Sequence, residues 1–277
     1  MTITGKSRIS PILFGIRLRP DLIRLAVDIA RRDIQAKYKR SLAGLGWFVL
    51  TPLGSVGIYW TIFGLIFHVS WHDPLTKDSV GFVLPFFAGL AFYLFFTDLI
   101  ISSANLFVAK RNYVKKSAFP LWVLWLANML RAGAYWSINV GILLVLAIAE
   151  QRLTILGLFW MVPAMLSGLL FAGALSLLIS CLGPFIGDIN EAAGLILRVV
   201  FYTAPVTYPV SIVPEKYRMF LWFNPLTHVV EPMRRAIVFS SQPELPLLIL
   251  FNILSFLLLG LSLWVFRRTR GVVADVV

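Results

Sequence analysis

Two stretches of this chain, 41–71 and 153–187, contain no Asp, Glu, Lys or Arg. Each is longer than the ~20 apolar residues that carry a helix across a hydrocarbon core. Composition agrees: 59% of residues are hydrophobic, only 14% are charged, and mean hydropathy is +0.84, whereas soluble domains run at about 45–50% apolar and about 25% charged. A disordered chain is excluded and a water-soluble enzyme is disfavoured. The expected fold class is an all-α membrane protein, a single transmembrane domain over residues 1–277 with spans at about 46–69, 80–104, 121–149, 155–183, 192–208 and 245–266. No internal repeat or low-complexity linker divides it.

The net charge of +12 would suggest nucleic acid in a soluble protein. Here the cations sit between apolar runs, where they orient helices in a bilayer, and no nucleic-acid partner is expected. Ten Lys or Arg precede the first span, four (Lys110, Arg111, Lys115, Lys116) join the second to the third, and three (Arg267, Arg268, Arg270) follow the last. With six spans these regions share one side, which places both termini in the cytoplasm. No signal peptide is expected, because the first apolar run begins some forty residues in and is too long for an h-region. The lone Cys181 leaves no disulfide framework and no Cys-based zinc site.

Three segments do not read as ordinary spans. Residues 20–41 place Leu22, Leu25, Ala26, Ile29 and Ile34 at roughly helical spacing, with Arg24, Asp28, Arg31 and Arg32 on other faces. That is an amphipathic surface helix, resting either on anionic lipid or on a cytoplasmic partner. Residues 105–120 join apolar anchors to four cations and are longer than the ~2–8 residues that link antiparallel helices. Residues 204–241 hold Pro205, Pro209, Pro214, Pro225 and Pro232 among apolar side chains such as Phe220, Trp222 and Val229. Proline stops helix propagation, and irregular backbone at membrane depth is tolerated only where protein or a water-filled cavity surrounds it. An external re-entrant segment is therefore expected there. In the fourth span, Ala164, Gly168, Ala172, Ser176 and Ser180 form a stripe of small residues suited to close helix packing, within the protomer or between protomers.

Asp98, Arg131 and Arg198 fall inside spans, where an unpaired charge costs roughly 2.5–3.5 kcal/mol. Asp98 and Arg198 are expected on the same side and able to pair, with Arg131 deeper and facing a cavity. Gly5-Lys6-Ser7 lacks the first glycine and the strand of a phosphate-binding loop, so this chain is not expected to hydrolyse nucleotide. His68, His72 and Asp73 make a weak metal pattern at an interfacial position, and no metal is expected. No catalytic grouping is recognisable. Glu215, Glu231 and Glu244 are spread out rather than paired, which gives little support to a two-carboxylate glycosyl chemistry. Aromatics inside helices, among them Tyr59, Trp60, Phe63, Phe92, Tyr93, Phe95 and Phe96, can stack on sugar rings or simply pack toward lipid.

The order of parts carries a resemblance. RRDIQAKYKRSLAGLGWFVLTPL (31–53), VAKRNYVKKSAFPL (108–121) and FYTAPVTYPVSIVPEKYRMFLWFNPLTHVVEPMRRAI (201–237), set among six spans, resemble the membrane subunits of type-2 ABC exporters of bacterial surface polysaccharide: the permeases for O-antigen, capsule and teichoic acid. The resemblance covers roughly residues 20–270. It implies a multi-pass inner-membrane homodimer with two separate cytoplasmic ATP-binding subunits, which would hold the ATP and magnesium. No cofactor is implied in this chain. Lipid-linked polysaccharide, most of all O-antigen, would pass between the two permeases. Residues 20–41 would then be the interface helix. Arg31, Arg32, Asp33, Lys110, Arg111, Asn112, Tyr113, Lys115 and Lys116 would couple to the ATPase. Pro205, Pro209, Pro214, Trp222, Asn224 and Pro225 would belong to the re-entrant gate. The substrate pathway would take in Lys39, Arg40, Tyr59, Trp60, Phe63, Arg131, Arg198, Tyr202 and Tyr208. Gly187-Asp188-Ile189 departs from a more usual Arg-Asp-Ile. Two readings from other classes stay open: a membrane-embedded glycan polymerase or ligase, and an ATP-independent transporter.

Overall fold

The computed structural model describes residues 12–13, 16–17, 19–39, 42–72, 79–115 and 119–277. Among them the fold is helical, apart from two pairs of two-residue antiparallel strands: β1 (Ile12–Leu13) with β2 (Ile16–Arg17), and β3 (Trp71–His72) with β4 (Ser79–Val80). The helices are α1 (Pro20–Tyr38), α2 (Trp47–Ile66), α3 (Val83–Ala104), α4 (Leu106–Ala109), α5 (Arg111–Val114), α6 (Trp122–Ala149), α7 (Ile155–Leu182), α8 (Ile189–Thr203), α9 (Glu215–Trp222), α10 (Thr227–Phe239), α11 (Leu245–Thr269) and α12 (Val273–Val276).

Five of these, α2, α3, α6, α7 and α11, are long and apolar enough to cross a membrane. The crossing expected at 192–208 is not among the five; the helix found there is shorter and shifted. Helix α8 has 15 residues, about 22 Å at 1.5 Å per residue, against a hydrocarbon thickness of about 30 Å. It stops because Pro205 disfavours helical backbone at the preceding residue, and Ala204 is extended with ψ 147°. The first span also ends earlier than the expected 69. Its last turns, Trp60–Ile66, are wound as a π-helix, and His68 then takes a left-handed φ of 50°.

Helix α3 is the axis of the bundle: most of its residues are buried, with Phe86, Phe87, Phe92 and Phe95 enclosed on all sides. The small-residue stripe of α7 lies against it, and Ala164, Gly168, Ala172, Ser176 and Ser180 are all buried. Ser103 and Ser176 share a 2.9 Å hydrogen bond across that contact. The stripe therefore packs within the chain. A Cβ added at Gly168 would meet the Phe92 ring at 2.5 Å and Val229 Cγ1 at 2.8 Å, so glycine lets α3 and α10 close on α7 together. Replacing Gly168 by valine should cost about 1–3 kcal/mol through overpacking, measurable as a lowered unfolding midpoint of the purified protein, whereas Gly133→Ala, where a Cβ meets nothing within 4 Å, should leave it unchanged.

A second apolar cluster closes one end of the bundle. Ala26, Ile29 and Ala30 of α1 join Leu106, Phe107 and Val114, the first turns of α6, Cys181 of α7, Phe266 of α11 and Val273 of α12. The amphipathic stripe of α1 is thus filled by protein, leaving Arg24, Asp28, Arg31 and Arg32 exposed. By contrast α2 is almost bare, with only Pro52 and Val56 buried.

Candidate functional site

Three arrangements of polar or aromatic side chains hang on this frame. The first lies at the α1 end. Helices α4 and α5 are single turns that kink at Lys110, and Lys110 Nζ forms an ion pair with Asp33 Oδ1 of α1, both side chains being partly buried. One charged contact ties the interface helix to the loop. Around it Arg31, Arg32, Arg111, Asn112 and Lys115 are exposed, and Tyr113 packs on Phe119 with ring centroids 5.3 Å apart. Lys116, expected with them, lies outside the described residues, as does Arg40.

The second is a buried polar ladder between α3 and α6. Arg131 donates to Asp98 Oδ2 at 2.7 Å, to Ser102 Oγ at 2.9 Å and to Asn128 Oδ1 at 3.0 Å. Asn128 Nδ2 donates on to Ser103 at 3.1 Å, and Lys37 Nζ of α1 reaches the other carboxylate oxygen of Asp98 at 3.5 Å. The expected pairing of Asp98 with Arg198 is therefore corrected. Helix rotation aims Asp98 at α6, while Arg198 stays on an exposed face of α8 and donates to the carbonyl of Gly194 at 3.2 Å. Arg131 is 8% exposed and is held by its neighbours rather than facing open space. Lys39 lies just past α1 and is exposed.

The third is the segment between α8 and α10, where the helical path is interrupted. Helix α8 ends at Thr203, and α10 resumes at Thr227 wedged between α3 and α7. A Cβ at Gly89 would sit 2.9 Å from Val230 and one at Gly157 2.5 Å from the Ala236 carbonyl, so α10 runs from the interior to the far end of α7. Helix ends leave backbone carbonyls with spare acceptor capacity, and side chains of the segment donate to several of them. Asn224 donates to Val200 O at 2.7 Å and to Thr203 Oγ1 at 2.8 Å, while its Oδ1 accepts from the Leu226 amide at 2.9 Å. Thr227 donates to Leu221 O at 2.6 Å, and His228 Nε2 lies 2.7 Å from Trp222 O. Arg234, 1% exposed, donates to Pro205 O at 2.7 Å and Pro85 O at 3.1 Å, pairs with Glu231, and lies over the Trp71 ring at 5.2 Å. Pro209 and Pro214 bound the short 3-10 turn between α8 and α9. Sequence reasoning did not single out Arg234. Glu231, three residues earlier on the same helix, was the available signal of a buried pair.

Of the expected pathway residues, Tyr59, Phe63, Tyr202 and Tyr208 gather in one aromatic group. Tyr59 lies 6.0 Å from Phe63 and 5.8 Å from Phe201, Tyr93 lies 4.4 Å from Phe201, and Tyr202 lies 5.3 Å from Phe201. The Tyr208 hydroxyl donates to Tyr202 O at 3.3 Å. Phe201, which sequence reasoning did not single out, is the hinge of this group between α2, α3 and α8. Trp60 turns away, its indole lying over Gly64. Glu215, Glu231 and Glu244 each pair with an arginine, Arg218, Arg234 and Arg235 in turn. No three potential metal ligands meet among the described residues.

Five helices long and apolar enough to cross a membrane, with charges paired between and along the helices, are the frame of a multi-pass membrane protein. The chain belongs to the ABC-2 type transporter family, which it matches over residues 27–238. It is similar to the O-antigen export system permease protein RfbA of Klebsiella pneumoniae, at 26% identity over 210 residues, 76% of this chain and 78% of the relative. It is 20% identical to RfbA of Myxococcus xanthus, over 91% of this chain and 94% of that one. Its identity to the polysialic acid transport protein KpsM of Escherichia coli is 22%, over 86% of this chain and 90% of the relative.

Proposed function

We propose that this chain is the permease subunit of an ATP-driven exporter that moves lipid-linked polysaccharide, most of all O-antigen, across the bacterial inner membrane through a channel between two copies. The observation that carries this reading is the alignment, over nearly all of the chain, of relatives named for O-antigen export; a second Klebsiella pneumoniae RfbA covers 92% of this chain and 95% of its own length. Capsular polysaccharide is the second reading, favoured by the KpsM likeness. In this reading α8 and α10 together make the sixth crossing, 204–241 is the external re-entrant segment, and the α1 end with both termini is cytoplasmic.

The physics supports a division of labour. The exposed cations around the Lys110–Asp33 pair form a surface for an ATP-binding partner, and the pair would pass that partner's movement to α1. The bare side of α2 offers apolar area to a second copy and to lipid. The aromatic group around Phe201 offers sugar rings sequence-tolerant stacking beside the mended break, where a gate would act. Purification of the tagged protein from its native membranes in mild detergent should yield a soluble ATPase at one copy per permease by mass spectrometry. An intact complex without an ATPase would overturn the exporter assignment and return attention to Glu215, Glu231 and Glu244.

A further inference from the structure

Beneath the C-terminal end of α1 lies a cavity of about 260 Å³ lined by Lys37, the first turns of α2 (Trp47, Phe48, Thr51, Pro52), Leu94, Phe95 and Asp98 of α3, and Tyr135 and Asn139 of α6. That volume is several times what one water needs. Its walls divide by chemistry: the α2 side is apolar, and the α1, α3 and α6 side is polar. On the polar side Lys37 Nζ sits 3.5 Å from Asp98 and 4.9 Å from the Tyr135 ring centroid. Arg131, behind the wall, holds the other oxygen of Asp98. Asn139 is 6% exposed, donates to Tyr135 O at 3.0 Å, and has no donor to its Oδ1 among the described residues. Helix α1 packs along α6, and the cavity stands between its C-terminal turn and the first turns of α2.

We propose that this cavity holds the headgroup of one resident membrane glycerophospholipid, an anionic one whose headgroup ends in hydroxyls, of the phosphatidylglycerol type. Two cations, Lys37 and Arg131, face one carboxylate, Asp98, so a ligand with a single negative charge balances the site, and an ammonium headgroup would add a third cation. The phosphodiester meets Lys37, and the glycerol hydroxyls supply donors to Asp98 and Asn139. The acyl chains follow the exposed apolar side of α2 past Leu50 and Leu53. The lipid would then stand where protein packing is missing, between α2 and the rest of the bundle. The proposal does not depend on the export reading.

The test is lipid analysis of the intact complex extracted into polymer-bounded native discs, followed by unfolding midpoints of delipidated protein with added lipid. Phosphatidylglycerol should be retained at about one per permease and should raise the midpoint, with phosphatidylethanolamine having less than a tenth of the effect at equal concentration. Lys37→Gln should lower retention about tenfold. Thr51→Leu, which narrows the cavity without touching a charge, should do the same in a protein that elutes as wild type. Equal stabilisation by phosphatidylethanolamine, or unaltered retention in both variants, overturns the proposal. Displacement of phosphatidylglycerol by an equimolar polyprenyl phosphate also overturns it, because the site would then belong to the carrier lipid of the cargo.

Discussion

Replacing Arg234 by methionine should abolish glycan export and cut the yield of monodisperse protein several-fold. The guanidinium is buried beside Glu231, donates to the carbonyls of Pro205 and Pro85, and lies over Trp71. Methionine fills much of the same volume but leaves Glu231 as an unpaired, largely enclosed carboxylate and removes the side-chain donor to Pro205 O and Pro85 O. Breaking a buried pair by removing one partner costs about 3–5 kcal/mol, a large share of the about 5–15 kcal/mol that holds a typical domain folded. Two further variants separate the causes. Arg234→Lys keeps the charge but not the fork that reaches two carbonyls in different elements, so it should fold yet export poorly. Glu231→Gln with Arg234→Met removes the orphaned acid and should recover folding more than transport. A single Arg234→Met protein with a wild-type unfolding midpoint would mean that Arg234 does not mend the break.

Much of this frame was legible in the sequence because a bilayer imposes one rule, an uninterrupted apolar length, and α3, α6, α7 and α11 obey it within a few residues of the expected bounds. The stop at Pro205 was legible for a local reason: proline restricts the residue before it wherever it occurs. What depends on helix rotation was not. Asp98 lies on α3, and whether it meets Arg131 or Arg198 is decided by which face of α3 turns toward α6, itself decided by phenylalanines that pack all around that helix. The small-residue stripe of α7 had the same ambiguity until α3 and α10 were seen to fill it. The π turns at Trp60–Ile66 leave no compositional mark beyond Gly64, and strands of two residues are too short to show a period. The burial of Arg234 was not legible because a cation in a proline-rich segment looks solvated; the depth of α10, set by contacts at Gly89, Gly157 and Gly168, encloses it.

Reversing Asp33 to lysine should uncouple nucleotide hydrolysis from transport, with export falling at least tenfold while the complex stays assembled. The pair Lys110–Asp33 is the described ion pair between α1 and the kink separating α4 from α5, and it is partly shielded from solvent, so its attraction is screened less than that of a fully exposed pair. With lysine at both positions the kink and the interface helix repel, and a push delivered to one would no longer move the other as a unit. A tenfold loss corresponds to about 1.4 kcal/mol, well within what a close charge pair supplies when one partner is removed. The apolar contacts of Ala26, Ile29 and Ala30 remain, which is why assembly should persist and only transmission should suffer. Exchanging the charges, Asp33→Lys with Lys110→Asp, restores the attraction with the direction reversed and should recover most export, while Lys110→Asp alone should behave like Asp33→Lys. Measuring ATP hydrolysis and glycan appearance in the same vesicles discriminates the cases: hydrolysis continuing without glycan marks uncoupling. Loss of both together would mean the pair holds the ATP-binding partner in place, and failure of the double exchange to rescue would mean that Asp33 and Lys110 act through other neighbours.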